Sequence, residues 1–207
     1  MIDLYSSPTP NGRKISIMLE ELGVDFNPIL INLDKKEQFN EEFSKISPAN
    51  KIPVIVDNDN NQTVFESGAI LLYLAKKYDK FLNKDKYWEI IQWVFFQMAY
   101  VGPMLGQAHQ YLFYHPGKSK FAEDKTKGYA QHIYSILDKR LSKQEYFSDT
   151  YSIADISIWP WTARYERHQI NLHDYPNVLR WYKQISTRPA VIKGYNSVGE
   201  FYEIPQP

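Results

Sequence analysis

Apolar residues change their spacing part-way along the chain. Ile2, Leu4 and Tyr5 make a short hydrophobic run that predicts a strand over 2–5. The stretch SSPTPNG carries two prolines and an Asn-Gly pair and predicts a turn. Ile15, Met18, Leu19 and Leu22 then recur at helical spacing, and Gly23 is placed to end that helix. Residues 26–33, with Ile29 and Ile31 alternating against polar neighbours, predict a second strand. KKEQFNEEFSKI predicts a short amphipathic helix carrying Phe39, Phe43 and Ile46, and SPANKIP breaks the pattern. Residues 54–56 and 63–65 predict two strands around DNDNNQ, whose Asp and Asn residues favour a hairpin turn. A helix follows over 67–78, with Ile70, Leu71, Leu74 and Tyr78 on one face.

The predicted order is β-α-β-α-β-β-α. A crossover between the first two strands implies a parallel pair, and the hairpin is antiparallel. This is a compact α/β unit with a mixed sheet, assigned to residues 1–80. Beyond about residue 83 strand signals vanish. Helical periodicity covers roughly 85–113, 120–142, 153–168 and 176–187. Residues 86–207 are therefore expected to form an all-helical domain. Pro160 is expected to kink the third helix. Ser152 and Asp155 are spaced as an N-cap and a variant capping box, and their role reads as structural. The tail EFYEIPQP reads as an irregular arm.

Charge and composition narrow the function. The chain has 24 basic and 24 acidic residues, so no basic stripe is available to meet phosphates. No apolar stretch approaches the length of a membrane span, and MIDLYSSPTP does not read as a signal peptide. Neither a nucleic-acid nor a membrane partner is expected, and the cytoplasm is the expected address. The chain has no cysteine, which excludes disulfides, thiolate metal sites and a cysteine nucleophile. Of its five histidines, at 109, 115, 132, 168 and 173, only His109 and His115 stand close to ligand spacing, and that pair reads as chance at a loop–helix boundary, so no metal is expected. Aromatic residues make up 15% of the chain, which suits a dense core and leaves material for a pocket or an interface.

Three places in the first eighty residues have the residue types for ligand chemistry. In α/β sheets, ligands bind at strand carboxyl ends and helix N-termini. Thr9, Pro10 and Asn11 lie between the first strand and first helix, where free N–H groups favour an anion or thiolate; they also read as an ordinary turn and cap. Lys51, Ile52 and Pro53 precede a strand. A cis proline there would present the backbone of Ile52 to a peptide ligand, while a trans proline would be a plain strand start. Glu66 and Ser67 open a helix: Ser67 can cap it or meet a ligand carboxylate, and Glu66 can meet an ammonium.

Taken in this order, SPTPNGRKI, SPANKIPVIVD, FESGAILLYLAKKY and YSIADISIWPW resemble the cytosolic glutathione transferases over nearly the whole chain. The stretches IDLYSSPTPNGRKI, ISPANKIPVIVD, VFESGAILLYLA and GPMLGQAH are similar to the nu-class bacterial members. The resemblance implies a thioredoxin-like glutathione-binding domain followed by a helical domain for the second substrate and dimer contacts. It implies glutathione as bound co-substrate and a homodimer. It assigns Glu66 and Ser67 to the γ-glutamyl end, Ile52 with Pro53 to the cysteinyl main chain, and Gln38 and Lys51 to the glycyl end. Thr9 and Asn11 would face the glutathione sulfur, whereas Tyr5 falls inside the first strand. Lys125 stands where the family has an arginine and would contact the partner subunit. Tyr100, Gly102, Pro103, Met104, Tyr111 and Phe113 would line an open second site. The implied activity is glutathione-dependent disulfide reduction, acting on a small disulfide or electrophile. The alternatives are conjugation of electrophiles and a non-enzymatic glutathione- or protein-binding domain.

Overall fold

The computed structural model describes residues 1–207, which divide into two compact units. The first contains residues 1–82 and 187–204; the second contains residues 83–186 and 205–207.

The first unit is built on a four-stranded sheet of order β2-β1-β3-β4. Its elements are β1 (Ile2–Ser6), α1 (Pro10–Leu22), β2 (Phe26–Leu30), α2 (Glu41–Ile46), β3 (Val54–Asp57), β4 (Gln62–Phe65) and α3 (Ser67–Tyr78). β1 pairs in parallel with β2 and β3 pairs antiparallel with β4, as the pattern predicts, and β1 also pairs antiparallel with β3. Ile2, Leu4 and Ser6 alternate into one buried face of the sheet. On the opposite face Tyr5 packs with Ile46 and Ile52 against a cluster of Ile31, Phe43 and Val54. Two local expectations change. α1 starts at Pro10, so Asn11 and Gly12 form its first turn; a proline at the first helical position has its φ already set for the helix. The helix expected around Phe39 splits into a 3₁₀ turn, Glu37–Phe39, and α2. Phe39 is left 62% exposed, while Phe43 is buried.

The second unit is helical throughout. α4 (Tyr87–Phe96), a π-helical stretch (Gln97–Val101), α5 (Gly102–Ala108) and a second π-helical stretch (His109–Tyr114) follow without a break, because the junction residues Gln97, Gly102 and His109 all keep right-handed helical dihedrals. α6 (Lys120–Leu141), α7 (Ile153–Thr162) and α8 (Pro176–Ser186) complete it. α7 is buried along its whole length and runs two residues past Pro160. Its N-terminus has the predicted capping box: Ser152 Oγ accepts from Ala154 N at 3.2 Å, and Asp155 Oδ2 accepts from Ser152 N at 3.0 Å. Asp138 on α6 caps α8 from a distance, accepting from Asn177 N at 2.8 Å and Val178 N at 3.1 Å. Two buried imidazoles, His109 and His168, stack with centroids 4.7 Å apart, and His168 Nδ1 lies 3.0 Å from Tyr134 Oη. No helix is long and apolar enough to cross a membrane.

The chain then returns to the first unit, so residues 187–204 leave the helical domain in which 86–207 were expected. The return is held by α9 (Pro189–Tyr195), which packs on α1. A Cβ at Gly194 would lie 2.5 Å from Ile17 Cα, so only glycine allows this backbone approach. Ser16 Oγ donates to Gly194 O at 2.6 Å, and Arg188 grips Glu21 with two bonds of 2.6 and 2.8 Å. The Arg13 guanidinium stacks 3.5 Å from the Tyr195 ring centroid and donates from Nε to Tyr195 O at 3.0 Å.

Candidate functional site

Three segments of the first unit build one cleft. The first is the start of α1. Thr9 is its N-cap, with Oγ1 accepting from Gly12 N at 3.2 Å. A Cβ at Gly12 would sit 2.2 Å from Ser7 O, so glycine lets the loop fold tightly back over β1. This geometry sets Asn11, half-buried, at the helix N-terminus.

The second segment is the loop before β3. Ser47 is buried and clamps it: its Oγ accepts from Lys51 N at 3.0 Å and donates to Lys51 O at 2.8 Å. The Ile52-Pro53 peptide bond is cis. The third segment is the turn from β4 into α3. Glu66 has φ +69° and ψ 118°, a backbone conformation that L residues rarely hold, and its carboxylate is exposed beside the buried Ser67.

Asn11, Lys51, Ile52, Pro53, Glu66 and Ser67 line this cleft together. Ser47, Ala49 and Phe65 complete its wall. The cleft offers a carboxylate, an ammonium, an amide and a hydroxyl around two helix N-termini. A zwitterionic peptide has complementary groups.

The family model for the glutathione S-transferase N-terminal domain matches residues 1–76, and that for the C-terminal domain matches residues 100–189. The chain belongs to the glutathione S-transferase family. It is 44% identical over 198 residues to the disulfide-bond oxidoreductase YfcG of Escherichia coli K12, a match covering 92% of each chain. A glutathione transferase from Pseudomonas putida, solved with one glutathione disulfide bound per subunit, superposes with a TM-score of 0.89 at 36% identity. That match covers 94% of this chain and 90% of the other. A glutathione transferase from Burkholderia graminis, solved with two glutathione molecules per subunit, gives a TM-score of 0.89 at 38% identity over 95% and 88% of the two chains.

The remaining residues singled out from the family motifs lie outside this cleft. Thr9 lines a neighbouring one with Asn32, Asp34, Glu200 and Tyr202. Gln38 sits on the 3₁₀ turn with its Oε1 enclosed. Lys125 is exposed on α6 of the second unit, its Nζ 5.7 Å from the Phe121 ring and 5.8 Å from the Tyr129 ring. Tyr100 packs on Phe96 at 5.5 Å, within the same long helical run as Gly102, Pro103, Met104, Tyr111 and Phe113. Tyr5 is a strand residue, paired with Ile29 and Val54.

One residue in contact with this cleft's lining escaped the sequence reading. Lys14 is 1% exposed, and its Nζ donates to Ser67 Oγ at 3.2 Å. Burial pushes its amine well below the usual lysine range, and Glu66 opposes that shift. A signal for it exists in the sequence. Lys14 stands four residues before Met18 and eight before Leu22, so it is a cation on the apolar stripe of α1.

Proposed function

We propose that this protein is a glutathione-dependent disulfide-bond oxidoreductase that binds glutathione in this cleft and works with the ligand's sulfur instead of one of its own. The carrying observation is the convergence of Asn11, Lys51, Ile52, Pro53, Glu66 and Ser67, drawn from three separate segments, on one cleft of a chain without cysteine. In this reading Glu66 meets the γ-glutamyl ammonium, Ser67 its carboxylate, and Ile52 the cysteinyl main chain. Lys51 and Gln38 serve the glycyl end. Lys125 is assigned to contact glutathione held by a second copy in a nu-class homodimer. The expected setting is the cytoplasm.

A free thiol has a pKa of about 8.5, so little of it is thiolate at neutral pH. Lowering that by about two units requires roughly 2.7 kcal/mol. The N-terminus of α1 contributes about 0.5 to 2 kcal/mol. Hydrogen bonds to the charged sulfur contribute roughly 1.5 to 3 kcal/mol each. Asn11 Nδ2 is the first candidate donor. Thr9 is the second, since its oxygen accepts from Gly12 N while its proton is left to donate. The thiolate attacks a disulfide sulfur, forms a mixed disulfide and releases one thiol. A second glutathione thiolate then attacks, giving glutathione disulfide and the second thiol. The relatives support this route: one is named as a disulfide-bond oxidoreductase, and others were solved with a glutathione disulfide or two glutathiones per subunit.

The test is steady-state turnover with glutathione against a small aliphatic disulfide and a chlorinated aromatic electrophile in parallel. Faster disulfide reduction supports the reading. Faster conjugation makes the protein an ordinary transferase. Bound glutathione without turnover of either makes it a binding domain.

A further inference from the structure

We propose that the second cleft, beside Thr9, receives one half of the disulfide substrate, and that Asp34 and Glu200 make it select a substrate carrying positive charge. The proposal rests on the glutathione-dependent reduction proposed above and adds the substrate class. Asp34 and Glu200 are then specificity-determining residues.

The cleft lies wholly within the first unit and encloses about 260 Å³. Its walls are the turn carrying Thr9, the chain after β2 with Leu33 and Asp34, and the returning tail with Glu200 and Tyr202. Each wall is fixed. Ser7 Oγ donates to Ile31 O, tying the first wall to the second, and Asn32 N donates to Glu37 Oε2 at 2.8 Å. Gly199, with φ +78°, approaches Pro8 so closely that a Cβ would lie 3.2 Å from its Cδ. Tyr202 N donates to Asn196 Oδ1 at 2.7 Å.

This lining is apolar and anionic. Leu30, Leu33 and Tyr202 are 48%, 36% and 40% exposed, and all three face the concavity. The carboxylates of Asp34 and Glu200 are exposed there, and neither makes a hydrogen bond or an ion pair. No basic side chain lines the cleft; Lys35 and Lys36 follow Asp34 in sequence but lie outside the lining. Apolar walls with two unpaired carboxylates complement an alkyl chain that ends in an ammonium, and they repel one that ends in a carboxylate. Thr9 links the two clefts. It lines this one and caps α1 two residues before Asn11, which lines the other. A glutathione thiolate held at the start of α1 then meets a disulfide seated in the second cleft. It attacks one sulfur, the substrate S–S bond breaks as the bond to glutathione forms, and the other half leaves as a thiolate that takes a proton from water. A second glutathione thiolate attacks the mixed disulfide and releases glutathione disulfide and the remaining thiol.

The experiment is steady-state reduction by the full chain, with glutathione, of three disulfides of matched length: cystamine, hydroxyethyl disulfide and dithiodipropionate, which end in an ammonium, a hydroxyl and a carboxylate. Each rate is divided by that of the uncatalysed exchange with glutathione, which removes the intrinsic reactivity of the disulfide. Wild type is expected to prefer cystamine over dithiodipropionate by roughly 10-fold in kcat/KM, and less in concentrated salt. Asp34→Asn with Glu200→Gln is expected to shrink the preference to within about threefold, through the KM values of the two charged substrates. Asp34→Lys with Glu200→Lys is expected to reverse it, an outcome that a damaged fold does not produce. Equal reduction of all three disulfides by wild type, or a preference kept in both double variants, overturns this proposal and leaves the disulfide-reductase reading standing. Reduction of none of the three removes that reading and this proposal with it.

Discussion

Trp181 Nε1 donates to Asp155 Oδ1 at 2.9 Å, joining the middle of α8 to the capping box of α7. The same fully buried carboxylate accepts from Phe147 N at 3.1 Å and from Ser152 N at 3.0 Å. Burial raises its pKa to about 6 against the pull of these donors. Replacing Asp155 by alanine leaves buried donors without acceptors, each costing about 1–3 kcal/mol. Asp155→Ala is expected to lower the unfolding free energy by roughly 3–5 kcal/mol, read by urea titration. A change under about 1 kcal/mol would show that the cap is dispensable.

The stacked pair His109 and His168 makes the second unit sensitive to acid. Burial, with Arg167 and Arg164 nearby, lowers the His109 pKa to about 4, against 6.5 for an ordinary imidazole. The folded state then binds fewer protons than the unfolded one between those values, so stability is present above pH 6.5 and lost as pH falls toward 4. Between pH 7 and pH 5 the loss from His109 is about 2 kcal/mol. Asp155 works in the opposite sense over the same range, since its folded pKa is raised, so the contrast lies between proteins. Wild type is expected to lose more stability than His109→Phe on going from pH 7 to pH 5. Parallel pH profiles for the two would contradict the assignment.

Glu66 holds a strained backbone conformation at the edge of the cleft. Its φ of +69° is costly for a side-chain-bearing residue, by about 1–3 kcal/mol, and glycine relieves that while adding freedom to the unfolded chain. Glu66→Gly is expected to fold at least as stably as wild type, up to about 1 kcal/mol better, and to bind glutathione more weakly. Thermal unfolding and calorimetry report the two effects separately. A fall in both stability and affinity would mean that the carboxylate supports the fold as well as the ligand.

Asn11→Ala tests the borrowed-sulfur chemistry directly. Loss of one donor to a charged sulfur, roughly 1.5–3 kcal/mol, is expected to raise the thiol pKa of bound glutathione by about one to two units. The thiolate absorbance of the complex, followed against pH, measures this. An unchanged titration removes Asn11 from the mechanism. Thr9→Ala has a different signature. It also loses the α1 cap, so a fall in stability of about 1 kcal/mol accompanies any effect on the thiol.

Local pattern carried much of the first unit. The strand over Ile2, Leu4 and Tyr5, the hairpin around residues 58–61 and the stripe of Ile70, Leu71 and Leu74 each depend on neighbours in sequence, and all appear as expected. Boundaries set by a single turn were harder. Pro10, Asn11 and Gly12 suit a tight turn as well as a helix start, and the choice depends on Gly12 clearing Ser7 O. The Glu66 and Ser67 pair could be singled out because a helix start concentrates its signals in adjacent residues. The contact of Lys14 with Ser67 could not be read in the same way, because the two residues are 53 positions apart.

By itself, the sequence determined the order of strands and helices, the switch from α/β to all-helical structure, the capping box at Ser152 and the absence of a protein thiol. These follow from periodicity and composition, which act over a few residues or over the whole chain at once. Only the tertiary structure decided that residues 187–204 return to α1, that Lys14 is buried under Ser67, and that Asn11 shares a cleft with Glu66 while Thr9 faces another. Those outcomes depend on which distant surfaces meet without a clash. Space such as that between Gly194 and Ile17 is a property of two packed helices and has no period along either one.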